Sequence, residues 1–294
     1  MRRDYMLNID NSIETLLKMI EEADAVVVGG AAGMSSAAGY NLYATDERFY
    51  DCLGAFAEKY GMTNAFDGYY YNFKTREERW AFLAAFAKGN MDFPITEPYM
   101  NLKKLIENKN YFVVTTNQDS MFSRIFPEEK VSAIQGDFRY LQCNDRCHDE
   151  IYPATEIYEK LYENTDGTTV PTEMIPVCPK CGGDMEPWVR SFVFLEGTAY
   201  KEAYRKYYGF LQDNMYKKIL FLELGVGMMT PMFIKEPFWN LTYKLPKASY
   251  VTINPKDALV PDEVKDKSLA IGEDIAMVLE KAVKALEEKN NADC

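Results

Sequence analysis

Apolar side chains recur every three or four positions at Ile13, Leu16, Leu17 and Ile20, the spacing that lays one stripe along a helix, so residues 11–23 are predicted helical. Asp10, Asn11 and Ser12 offer capping oxygens at its start. The period then changes. Ala25-Val26-Val27-Val28 is a continuous apolar run ending in Gly29-Gly30, which predicts a strand buried on both faces and released into a glycine turn. Comparable runs stand at Tyr111–Thr116, Ile219–Leu224, Tyr250–Ile253 and Ser268–Ile271. The last leads into Ile275, Val278, Leu279, Ala282 and Leu286, a terminal helix. Strands separated by helical stretches predict an α/β fold, a parallel sheet with helices on both faces. Two stretches break the alternation. Residues 46–105 read as helical and aromatic, and residues 141–188 hold paired cysteines with little periodicity. Together they are expected to form a smaller lobe, with the large domain drawn from about 1–45, 106–140 and 189–294.

Composition narrows the function. Hydrophobic residues make up 47% and charged residues 27%, a globular balance. No apolar run reaches the roughly 20 residues of a membrane span. No long apolar segment follows Met1-Arg2-Arg3-Asp4-Tyr5, so the expectation is a cytoplasmic protein without a membrane partner. A net charge of −12 repels phosphate backbones and argues against nucleic acid. Without a secretory signal, six cysteines do not read as a disulfide framework. Four of them form two close pairs, Cys143-x3-Cys147 and Cys178-x2-Cys181, the knuckle spacing of one tetrahedral zinc. Pro179 and Gly182-Gly183 favour the tight turn this needs. Four thiolates close the coordination shell, so the expected role is structural. The other reading is four reduced, buried cysteines. His148, the single histidine, is expected as a solvated loop residue, with replacement of Cys147 as a ligand the alternative.

Three short segments carry candidate chemistry. Gly29-Gly30-Ala31-Ala32-Gly33-Met34-Ser35 follows a buried strand with small residues, which let backbone N–H groups approach a pyrophosphate. The same residues also suit tight helix–strand packing. Thr115-Thr116-Asn117-Gln118-Asp119 ends a strand where open α/β sheets bind ligands. An amide and a carboxylate two positions apart can meet a carboxamide and a ribose. They also suit a capped turn with Asp119 as N-cap. Ile134-Gln135-Gly136-Asp137 precedes the first cysteine pair.

In this order the segments resemble the sirtuin family. Ala32-Gly33-Met34-Ser35 and Gly39 match its Gly-Ala-Gly-x-Ser loop, Thr115 or Thr116 with Asn117 and Asp119 its Thr-Gln-Asn-x-Asp, and Gln135-Gly136 its His-Gly. Gly225-Val226-Gly227 followed by Pro231 resembles a degenerate Gly-Thr-Ser turn, and Asn254 and Asp274-Ile275 match later contacts. The resemblance implies a Rossmann-like sheet domain with a zinc-ribbon-like module, and NAD as co-substrate. It implies NAD contacts from Ala32, Gly33, Ser35, Gly39, Thr116, Gly225, Gly227, Asn254, Asp274 and Ile275. It gives Asn117 the ribose or acceptor, Asp119 the nicotinamide carboxamide, and Gln135 the attacking group.

The departures are chemical. Asn41-Leu42-Tyr43-Ala44 replaces the usual Pro-Asp-Phe-Arg, Gln118 the usual Ile, and Gln135 the catalytic histidine. A glutamine amide is no base near neutral pH, so it cannot deprotonate a ribose hydroxyl as sirtuin deacylation requires. Loss of nicotinamide through a cationic ribosyl transition state needs positioning more than a base. Such a site is expected to pass ADP-ribose to another acceptor. A glutamine here resembles the macrodomain-linked class M sirtuins. That resemblance implies a protein mono-ADP-ribosyltransferase acting on a lipoylated carrier related to the glycine cleavage H protein, with a separate macrodomain hydrolase removing the mark. The alternatives are a lysine deacylase and an inactive NAD-binding sensor.

Overall fold

The structure is a computed structural model and describes residues 9–292. Its strands are β1 (Ala25–Gly30), β2 (Asn110–Thr115), β3 (Val131–Ala133), β4 (Gly136–Cys143), β5 (Ile151–Pro153), β6 (Met185–Val189), β7 (Ile219–Leu224), β8 (Ser249–Ile253) and β9 (Ser268–Ile271). Its helices are α1 (Ile9–Glu22), α2 (Ala32–Ala37), α3 (Glu47–Tyr60), α4 (Ala65–Tyr69), α5 (Arg76–Asp92), α6 (Glu97–Ile106), α7 (Met121–Ile125), α8 (Thr155–Glu163), α9 (Thr198–Asn214), α10 (Lys235–Lys244) and α11 (Ile275–Ala292). Asp10, Asn11 and Ser12 fall inside the first turn of α1, not ahead of it. The backbone is already helical at Ile9, the first described residue, whose side chain packs against the same core as Ile13 and Leu16.

Six strands form a parallel sheet in the order β3-β2-β1-β7-β8-β9. Every residue of β1 and β7 is buried, which explains their apolar runs, broken only by Glu223 in β7, whose charge is paired with Lys235. Alternate side chains serve opposite faces. Val26, Val28, Val113, Leu222 and Val251 pack under Leu16, Leu102 and Val278. Val27, Phe112, Phe221 and Tyr250 pack under Tyr207, Leu211 and Phe238. From β1 the chain steps outward through β2 to β3, then returns to the other side of β1 as β7. The order therefore reverses between β1 and β7. The crevice beyond their carboxyl ends is where such sheets bind ligands.

A third apolar cluster joins Phe49, Phe56, Trp80, Phe82 and Phe86 to Leu141, Tyr158 and Val189. Beside it β5, β4 and β6 form an antiparallel sheet that the cysteine-bearing stretch did not announce. The alternation of β4 is hidden because Asp137 and Gln142 are buried polar residues. Gln142 is satisfied there by Val193 O and the Leu195 amide. Most of helix α6 falls in the range 46–105, but its Tyr99, Leu102 and Leu105 pack into the main sheet core.

Candidate active site

At the crevice two backbones touch. The Ala31 amide donates to Leu224 O at 3.1 Å and the Gly33 amide to Gly225 O at 3.1 Å. A Cβ on Gly33 would lie 2.6 Å from Gly225 Cα and 2.7 Å from Gly225 O. Gly225 itself has φ +68°, a left-handed conformation that favours glycine. These contacts are the tight packing that the small residues also suited, and they hold the two turns together at the crevice where an open α/β sheet takes a dinucleotide such as NAD.

Ser35, buried in α2, is the hub of a buried polar network. Its hydroxyl donates to Asp119 Oδ2 and lies 3.1 Å from the Tyr99 hydroxyl. Asn117 Nδ2 donates to Ser35 Oγ at 2.8 Å and to Ala31 O at 3.0 Å. Both amide hydrogens are thus spent, and Asn117 Oδ1 is the group left to face the crevice. Thr115, last in β2, holds the loop: its Oγ1 donates to Gly30 O and accepts the Asn117 amide. Burial pushes the Asp119 carboxyl above its ordinary range, against the lowering effect of the Ser35 hydrogen bond. Asp119 was expected to meet the nicotinamide carboxamide. In this structure one oxygen serves Ser35 and the other the Met121 amide at 3.0 Å, the local turn chemistry its sequence also suited.

Gln135 stands half-buried just before β4, where Gln118 Nε2 donates to its backbone carbonyl at 3.4 Å. Its side-chain amide has no partner among the described residues. Its backbone carbonyl accepts the Arg190 amide at 2.8 Å. Sequence reading missed Arg190, because only the β4–β6 pairing carries it to Gln135. Its guanidinium packs on the rings of Phe194 and Tyr200, at 4.6 and 5.4 Å, and bonds Glu196. Its Nε is buried without a partner among the described residues. Phe192, two residues on, is wholly exposed.

The remaining expected residues lie around the same sheet edge. Ala32 is exposed and Thr116 half-buried, while Gly39 closes the turn after α2 with φ +91°. Asn254 Nδ2 donates to Val226 O at 3.1 Å, and its Oδ1 accepts the amides of Lys256 and Asp257. It thereby ties the loop after β8 to the Gly225–Gly227 turn. Asp274 accepts the Met277 amide and caps α11. The Ile275 side chain is buried in the main core, so only its backbone is left for a ligand. Beneath this edge Lys235 and Glu223, both fully buried, pair at 2.8 Å. Lys235 Nζ also donates to Asp257 O at 2.9 Å, which anchors the same loop.

The four expected cysteines converge. Their Sγ atoms all lie within 4.8 Å of one another, with Cys143–Cys181 and Cys147–Cys178 each at 3.7 Å. A tetrahedral zinc with bonds of about 2.3 Å separates its sulfurs by about 3.8 Å, so the donor set fits one zinc. His148 is not the solvated residue expected. Its Nδ1 lies 3.0 Å from Cys147 Sγ and its Nε2 2.7 Å from the Tyr152 hydroxyl, so the β4–β5 connection clamps the ring behind the thiolates.

The comparisons agree with this geometry. No family model matches the chain. A protein ADP-ribosyltransferase of Staphylococcus aureus (strain Mu50) is 33% identical over 92% of this chain and 87% of its own length. The chain belongs to the sirtuin-type protein ADP-ribosyltransferases. A probable bifunctional ADP-ribose hydrolase/ADP-ribosyltransferase of Fusarium oxysporum f. sp. cubense is 28% identical over 92% of this chain, which spans 48% of that protein. A solved Sir2 enzyme shares the fold at TM-score 0.59 with 20% identity, covering 95% of this chain and 99% of its own. A Sir2 homologue solved with NAD does so at 0.58 with 16% identity and 94% coverage of both chains. The enzyme is thus an NAD-dependent ADP-ribosyltransferase on a sirtuin frame. Among its described residues no helix is long and apolar enough to cross a membrane.

Proposed function

We propose that this transferase passes a single ADP-ribose from NAD to a lipoylated carrier protein of the glycine-cleavage-H type. The observation that carries the reading is Gln135, an unpartnered amide where deacylating sirtuins hold a base. In the reaction the C1′–nitrogen bond of NAD breaks and nicotinamide leaves neutral with the electron pair. A lone pair on the acceptor forms the new bond to C1′, and the acceptor's proton passes to solvent. Asn117 Oδ1, held by the two donations from its own amide nitrogen, faces the positive charge that develops on the ribosyl group. The backbone cradle at Gly33 and Gly225 takes the pyrophosphate, with Ala32 and Ser35 beside it. Asn254, Gly227, Asp274 and Ile275 border the adenosine half. Asp119 acts through Ser35, and Gln135 orients the acceptor by hydrogen bonding. The exposed Phe192 ring, two residues beyond Arg190, suits an apolar prosthetic arm.

The hydrolase named in the Fusarium relative supports a partner that removes the mark, which for this chain we assign to a separate macrodomain. Incubating the enzyme with labelled NAD and the carrier, with and without lipoate, tests the reading. Label is expected on the lipoylated carrier only. Deacylation of an acyl-lysine peptide without label transfer overturns it.

A further inference from the structure

We propose that the groove between α9 and α10 is a docking surface for an acidic, amphipathic helix of the protein acceptor. This rests on the enzyme having a protein acceptor, and not on that acceptor being lipoylated. The groove measures about 440 Å³. Tyr207, Leu211 and Leu241 form its floor, with Tyr208 and Met232 at its lip, each 53% exposed. Tyrosine and methionine at an exposed apolar depression are the side chains that anchor protein partners.

Charge selects the occupant. The chain as a whole carries −12, yet residues 198–218 hold five basic residues against Glu202 and Asp213. Lys201 falls on the same helical stripe as Tyr208, with Arg205 between them paired to Glu202. Lys244 and Lys247 stand on the other side, around Leu245, with Glu236 the acid on that helix. A basic rim around an apolar floor, on an otherwise acidic protein, complements an acidic helix with one apolar stripe. A basic helix is repelled by the same rim.

The groove is also continuous with the reaction centre. Arg190, bonded to the Gln135 backbone, packs its guanidinium on Tyr200 at 5.4 Å and Phe233 at 5.9 Å. Tyr200 meets Tyr204 at 5.0 Å, and Tyr204 meets Tyr208 at 5.7 Å. Tyr204 and Phe233 line the groove. From Tyr200 to Tyr208 the helix rises about 12 Å. An acceptor held in the groove therefore presents its modified group to Gln135 across one unbroken aromatic face.

The test uses a labelled amphipathic peptide of about eighteen residues, five helical turns, with leucines on one stripe and glutamates elsewhere. A matched peptide with lysines replaces the glutamates. Fluorescence anisotropy is measured on the wild-type enzyme, on Lys244→Glu/Lys247→Glu and on Tyr208→Ala. The acidic peptide is expected to bind the wild type, to weaken about tenfold in each variant, and to weaken with salt. With the lipoylated carrier as substrate, both variants are expected to raise its KM about tenfold at unchanged kcat, and to leave acceptor-free nicotinamide release unaltered. Equal binding of the two peptides, no binding of the acidic one, or an unchanged carrier KM overturns the proposal. A carrier that the wild type does not modify at all defeats the lipoyl reading, while the peptide result still decides the groove.

Discussion

Replacing Gly33 by alanine tests whether the backbone cradle is as tight as it looks. The new Cβ would lie 2.6 Å from Gly225 Cα and 2.7 Å from Gly225 O. Carbon atoms pack comfortably at about 3.5–4.0 Å, so the two segments must part by roughly an ångström. Neither can yield by a rotamer change, since both contacts are to backbone and the Gly33–Gly225 hydrogen bond ties them together. Overpacking of this kind costs about 1–3 kcal/mol, and rigid partners put it near the upper end. For a domain of this size, about 2–3 kcal/mol lowers Tm by roughly 3–5 °C. A shift of about 1 Å where the dinucleotide sits is expected to cost about 10²-fold in kcat/KM for NAD. Thermal unfolding with and without NAD, and nicotinamide release against NAD concentration, read both effects. Gly225→Ala is expected to be worse, because φ +68° adds about 1–2 kcal/mol of backbone strain. Gly54→Ala in α3 is the control, since nothing lies within 4 Å of its Cβ. A Gly33→Ala enzyme with wild-type Tm and wild-type NAD kinetics would refute the reasoning.

Gln135→Ala is expected to slow transfer by about 10²–10³, the worth of one orienting hydrogen bond of about 2–4 kcal/mol, with NAD binding kept; isothermal titration beside a transfer assay checks this. Cys178→Ser, or a strong chelator, is expected to release one zinc and loosen the β5-β4-β6 sheet, because closed zinc sites contribute folding free energy; metal analysis with amide exchange of residues 136–189 reports it. Lys235→Met leaves Glu223 buried and unpaired and is expected to cost about 3–5 kcal/mol, whereas Lys235→Met/Glu223→Leu costs less; chemical denaturation separates the two. Asp119 has a folded pKa raised by burial, so between its unfolded and folded values the native state holds the extra proton. Its contribution therefore worsens as pH rises through that window, and Asp119→Asn is expected to gain stability relative to wild type over the same rise. Unfolding free energies measured from acid to neutral pH check the sign.

The parallel sheet was legible because its strands are predominantly apolar, even where Glu223 interrupts β7 and where edge strand β9 buries alternate positions only. Ile219–Leu224 and Ser268–Ile271 match β7 and β9 end to end. The antiparallel sheet was not, since two buried polar residues interrupt β4: Asp137, held by its neighbour Arg139, and Gln142, whose partners lie about fifty residues on. The cysteine spacing foretold the thiolate cluster, because knuckle turns are local. His148 was misread because its clamp, the Tyr152 hydroxyl, becomes a neighbour only once β5 turns back on β4. Arg190 gave no signal at all: a lone arginine acquires its place from strand pairing. The Ser35–Asn117 link joins residues 82 apart, so the order of motifs pointed to it where no single motif did.

The central position of β1 sets a schedule for the ribosome. Asp24, just ahead of that strand, accepts the Lys218 amide across 194 residues of chain. At about 5–20 residues per second, translation needs roughly 10–40 s to deliver β7 after β1 has been made. Over that interval one long edge of β1 has no partner strand, and the Gly33 side of the cradle has nothing to close against. The cysteine-bearing sheet, complete by residue 189, finishes its pairing first. A nascent chain stalled before residue 219 is therefore expected to hold metal yet be unable to hold NAD, and to depend on chaperones that shield an open parallel edge.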